Sequence, residues 1–132
     1  MPVPFCKKEE KMTIDQAVSY LDRLCANACP REDKVLWLLQ LEGNLKRHVL
    51  DTHEGGLEAR ELTAGSPGTS ALLAPEPFDR MYTAWLEAML HLYHGELERY
   101  NAAIDIFHRE FSAFESWYNR VFPPKHHGSW RG

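Results

Sequence analysis

Apolar residues recur along this chain at spacings of three and four, in blocks separated by proline and glycine. That is the pattern of amphipathic helices. In the first block Ile14, Ala17, Val18, Leu21, Leu24, Cys25 and Ala28 fall on one face. Thr13-Ile14-Asp15-Gln16 has the T-x-x-Q form of a capping box, so the helix should start near Thr13. Pro30 should stop it near Asn27 or Ala28, because the residue before a proline avoids helical geometry. A second helix should carry Pro30 in its first turn, with Glu32 and Asp33 near its positive end. Val35, Leu38, Leu39, Leu45 and Val49 mark its buried face, and Glu42 and Gly43 interrupt that stripe. A glycine inside a helix costs about 1 kcal/mol relative to alanine, so Gly43 suggests a close helix–helix approach. Gly55-Gly56 should end the helix.

Residues 57–77 lack a helical period. The turn cluster Ala64-Gly65-Ser66-Pro67-Gly68 separates Leu57 to Thr63 from Ser70 to Ala74. The stretch reads either as a short β-hairpin or as an irregular loop. A free two-stranded hairpin is marginal in water, so a hairpin here would need support, for example from a neighbouring subunit. Asp79 is the expected N-cap of a third helix, with Met81, Tyr82, Trp85, Leu86, Met89, Leu92 and Tyr93 on its apolar face. Gly95 should break it. The last helix should run from about Glu96 to about Val121. Leu97, Tyr100, Ile104, Phe107, Phe111, Phe114, Tyr118 and Val121 alternate steps of three and four, an unbroken heptad seam. At 1.5 Å per residue this helix would be roughly 39 Å long. Pro123-Pro124 should end it.

These elements predict an all-α, four-helix bundle-like chain with a long C-terminal helix and a loop or hairpin between the second and third helices. At 132 residues it should form one domain. Residues 13–122 make the helical domain, 1–12 a flexible arm and 123–132 a flexible tail. The net charge of −4 argues against a protein that coats nucleic acid. Charge is segregated: residues 79–115 carry seven carboxylates against three basic groups, whereas residues 116–132 carry Arg120, Lys125 and Arg131 and no carboxylate. All aromatic residues except Phe5, Tyr20 and Trp37 lie from Phe78 onward. The mixed aromatic and cationic tail, Phe122, Lys125, Trp130 and Arg131, has the composition of a segment that folds into a partner's groove. The alternative is an unstructured solubilising tail.

Chemistry-bearing motifs are scarce. Cys6, Cys25 and Cys29 are an odd set without C-x-x-C spacing, which reads as reduced thiols in a cytosolic protein. No signal-peptide pattern and no membrane-length apolar stretch is found. Glu87, His91 and His94 share a helix, but Glu-x-x-His and H-E-x-x-H are absent. The seven histidines therefore read as structural or solvated. Nucleophile-elbow and phosphate-loop motifs are also missing. The expectation is no catalytic, metal or cofactor-binding residue, and no enzyme.

Several blocks occur in an order that resembles a known family. They are Thr13-Ile14-Asp15-Gln16-Ala17, Leu21-Asp22-Arg23-Leu24, Glu32-Asp33-Lys34-Val35-Leu36-Trp37-Leu38 and Asp51-Thr52-His53-Glu54-Gly55. Then follow Leu72-Leu73-Ala74-Pro75-Glu76-Pro77-Phe78-Asp79-Arg80-Met81-Tyr82, Gly95-Glu96-Leu97-Glu98-Arg99-Tyr100-Asn101 and the stretch from Phe107 to Asn119. The ordered set, over residues 12–122, resembles the head–tail connector (adaptor, or head completion) proteins of tailed bacteriophages and prophages. The resemblance implies a virion neck protein assembled in the bacterial host cytoplasm. It implies a ring, typically of twelve copies, beneath the portal protein, with a tail-side neck or tail-terminator protein below. Double-stranded DNA would pass through without sequence recognition, and no membrane is involved. In such families the C-terminal end engages the portal, which would give Phe122, Lys125, Trp130 and Arg131 that role. Loops contact neighbouring subunits, which would assign Leu57, Leu62, Leu72 and Leu73 to subunit contacts. The extra histidines and tryptophans and the segment His126 to Gly132 depart from the family pattern. The main rival reading is a small cytosolic helical interaction module or dimeric regulator using the last helix's seam.

Overall fold

Thr13 starts the first helix as its sequence predicts. In the computed structural model, which describes residues 11–53 and 62–122, its hydroxyl accepts from the Gln16 N–H at 3.1 Å. Gln16 Oε1 accepts from the Thr13 N–H at 3.0 Å. This capping box opens α1 (Ile14–Leu24). Its first two N–H groups donate to the Ser70 and Gly68 carbonyls at 3.1 and 2.9 Å, so the loop before residue 71 closes the helix end. The approach is tight at Gly68, where a β-carbon would lie 2.2 Å from Asp15 Oδ1. Just before α1, the strand β1 (Lys11–Thr13) pairs antiparallel with β2 (Ala71–Pro75), with an irregular register between Lys11 and Thr13.

Of the two segments flanking the turn cluster, Ser70 to Ala74 contributes to a strand, whose partner among the described residues is the segment before α1. Leu57 to residue 61 lie outside the described residues. The end of the expected N-terminal arm, Lys11 and Met12, is therefore part of the fold. Leu72, Leu73 and Ala74 are all buried, and because successive side chains of a strand alternate faces, both faces of β2 are covered.

α1 stops at Leu24, a turn earlier than expected. Asn27 is the reason. Its Nδ2 donates to the Cys25 carbonyl at 2.9 Å and its Oδ1 accepts from the Cys29 N–H at 3.0 Å. An Asn side chain that satisfies local backbone groups competes with the helix for them. Pro30 is the N-cap of α2 (Arg31–His48), which continues through a short 3-10 turn, Leu50–Thr52. Lys34, Leu38, Leu41, Glu42 and Leu45 are its buried residues, and its C-cap Val49 is buried too. The stripe is continuous, and Glu42 belongs to it. Gly43 has no atom within 4 Å of where a β-carbon would stand, so the close approach expected there is absent.

α3 (Arg80–Tyr93) follows a turn closed by the Phe78 N–H on the Pro75 carbonyl at 2.8 Å. Asp79 occupies the N-cap position without a side-chain capping bond. Met81, Tyr82, Ala84, Leu86, Ala88, Leu90 and His91 are all buried. A helix buried on most of its circumference is a central one, and α3 indeed packs against α1, α2 and α4. Gly95, at φ +75°, turns the chain into α4 (Leu97–Val121). α4 runs against α3 and buries Ala103, Phe107, Phe114 and Tyr118. The described residues thus form a mainly helical fold of four helices and one small antiparallel sheet.

Candidate functional site

Of the side chains expected to contact neighbouring subunits, Leu62, Leu72 and Leu73 are described. Leu72 and Leu73 are 1% and 6% exposed, inside the chain's own core. Their side chains are not available to a neighbour, because both lie within the core. Leu62 packs against the same core, half-buried. Leu57 lies outside the described residues. Of the expected portal-binding tail, Phe122 is described: it is half-buried and its ring packs on Tyr118, with centroids 4.6 Å apart. Lys125, Trp130 and Arg131 lie outside the described residues.

Apolar surface is instead left open elsewhere. Leu24, Leu92, Tyr93 and Leu97 are about half exposed or more, at the end of the molecule where α1 stops and α3 turns into α4. Val121, at the other end of α4, is 50% exposed. The heptad seam is therefore covered in its middle and open at Leu97 and Val121.

Buried polar groupings help to hold this framework. Glu42 Oε1 accepts from the Leu73 N–H at 3.1 Å, and Oε2 accepts from the Tyr82 hydroxyl. The same hydroxyl accepts from the Ala74 N–H at 2.8 Å. One carboxyl thus ties β2 to α2 and α3. Burial pushes it up from the ordinary carboxylate range to about 7, against the opposing hydrogen bonds and the charge of Lys11. Burial, reinforced by Glu42, also pushes the Tyr82 hydroxyl well up. In the second grouping the buried Lys34 ammonium donates to Asp22 Oδ1 at 2.7 Å and Asn27 Oδ1 at 3.0 Å, joining α2 to the end of α1. Burial works to raise Asp22, but bonds from Lys34 and Asn27 outweigh it and hold the carboxyl low.

A third cluster has the donor set of a metal site. Cys25 Sγ, a Glu87 carboxylate oxygen and a His91 ring nitrogen all lie within 4.8 Å of one another. His91 Nδ1 is 2.9 Å from Glu96 Oε1, and Nε2 is 3.5 Å from Glu87 Oε2. Cys25 and Glu87 line a surface groove that Arg99 and Ile106 of α4 share. Burial pushes the Cys25 thiol up, and Glu87 and Glu96 add to the effect while Arg99 opposes it. The i, i+4 pair Glu87 and His91 was visible in the sequence. Cys25, 62 positions before Glu87, was not, because only the packing of α1 on α3 brings it there.

No protein-family model, curated protein or solved structure matches this chain. No described helix is long and apolar enough to cross a membrane.

Proposed function

We propose that this chain is a head–tail connector, a non-enzymatic adaptor of the virion neck of a tailed phage or prophage. It is a four-helix bundle-like subunit that closes into a ring of twelve beneath the portal and extends the DNA channel toward the tail-side neck protein. The observation that carries the reading is the partly uncovered seam of α4. Leu97 and Val121 are exposed at its ends, and Leu24, Leu92 and Tyr93 add apolar surface beside Leu97. These exposed apolar side chains support the reading of an interface at the ends of α4. The ordered sequence blocks support the connector reading of this surface. Two of them fall at joints of the fold: Pro75 to Asp79 links β2 to α3, and Gly95 to Asn101 turns α3 into α4.

The mechanism is mechanical. Ring closure buries the open ends of the α4 seam and leaves exposed carboxylates such as Glu98 and Asp105 for the channel wall. A negative wall repels phosphate and lets DNA slide. The test is the native mass of the full chain, alone and mixed with the portal protein encoded in the same genome. The expected result is a twelve-copy ring on the portal. A stable dimer that ignores the portal would overturn the reading in favour of a helical regulator, and a channel lined by Lys and Arg would overturn the sliding mechanism.

A further inference from the structure

Cys25, Glu87 and His91 bring a thiol, a carboxylate and an imidazole within 4.8 Å of one another. Cys25 is the C-cap of α1, and Glu87 and His91 lie one turn apart on α3. The 3.5 Å between His91 Nε2 and Glu87 Oε2 is long for a hydrogen bond. It suits the roughly 3.4 Å edge of a tetrahedron with metal–N and metal–O bonds of about 2.0–2.1 Å. All three donor atoms lie within 4.8 Å, so small side-chain rotations bring them to one ion. Behind the histidine, Glu96 Oε1 lies 2.9 Å from Nδ1. A carboxylate in that place fixes the proton on Nδ1 and turns the Nε2 lone pair toward a metal. His91 is buried while Cys25 and Glu87 are half-buried on an open groove, which provides both a held ligand and an entry path.

We propose that Cys25, Glu87 and His91 bind a divalent cation of zinc type, with Glu96 orienting His91 and solvent completing the coordination. Thiolate, imidazole and carboxylate together favour zinc over magnesium or calcium, which take oxygen ligands. The Cys25 thiol gives its proton to solvent as the metal–sulfur bond forms, and thiolate and Glu87 together neutralise the dication. The ion staples the end of α1 to α3, and through Glu96 it reaches the turn into α4. The proposal stands independently of the connector reading.

The experiment uses the full chain with C6S, H126A and H127A, which remove other ligands outside the described residues. Equilibrium dialysis should find one zinc per chain, and zinc should raise the melting temperature. Cobalt should give a thiolate-to-cobalt charge-transfer band with tetrahedral d–d bands. C25S should abolish that band and weaken zinc binding at least tenfold, and E96Q should weaken it about tenfold to a hundredfold. C29S should leave both unchanged. The half-buried cap position of Cys25 keeps C25S informative even if H91A fails to fold. Absence of stoichiometric zinc, undiminished binding in C25S, or a cobalt band lost in C29S would overturn the site.

Discussion

At Glu42 a carboxyl sits in the core with its proton held to about pH 7 by burial. Below about pH 4.5 it is neutral in both the folded and the unfolded chain. Between there and about pH 7 the unfolded chain has lost the proton and the folded chain keeps it. Stability therefore falls as pH rises through this window and the penalty is constant above it. The shift corresponds to about 3 kcal/mol. Urea denaturation across pH should show the stability of Glu42→Gln gaining on the parent by about that amount between pH 4.5 and 7.5. A pH-independent difference would mean an ordinary carboxylate. Tyr82→Phe removes the hydroxyl that accepts from the Ala74 N–H and donates to Glu42. Leaving buried groups unpaired costs about 1–3 kcal/mol, so its unfolding free energy should fall by about 2 kcal/mol. Sequence alone presented Glu42 as a break in an apolar stripe. A charged letter at a helix-core position carries no sign of the partner that makes its burial tolerable.

Among the elements, the α3–α4 turn depends on one backbone conformation. Gly95 lies at φ +75°, with open space where a β-carbon would stand. The cost of Gly95→Ala is thus purely conformational, about 1–2 kcal/mol, and Gly95→Asn should recover part of it. Thermal unfolding of both variants checks this. α4 is fixed by its aromatic middle: Phe114 is fully buried, with Phe78, Trp117 and Tyr118 rings centred 5.6 to 6.0 Å away. Phe114→Ala should cost about 3–5 kcal/mol, read by chemical denaturation. Element type and most boundaries were legible because capping boxes, prolines and heptad spacing act locally. The early end of α1 was less so, since Asn27 can either continue a helix or cap it, and Lys34 and Asp22 help to hold it in the second role.

On the scale of the whole molecule, the proposed role of the α4 seam in assembly can be tested apart from folding. Leu97→Asp and Val121→Lys change exposed residues and suit the helix dipole. The isolated chain should keep its stability within about 0.5 kcal/mol, while ring formation on the portal, followed by native mass, should be lost. A matching loss of monomer stability would place these residues in the fold instead. The sequence by itself determined four helices, their order, the capping box at Thr13 and the break at Gly95, because each follows from period and local hydrogen bonding. Only the tertiary structure decided that α3 is the central helix, that Ala71–Pro75 pairs with Lys11–Thr13, and that Leu72 and Leu73 face inward. It also brought Cys25 to Glu87 and His91, and Glu42 to Tyr82. Those pairings join residues 40 to 66 positions apart or face a helix in a direction that hydrophobic period leaves open. Such contacts are set by how the helices pack, and a local pattern contains no distance between its elements.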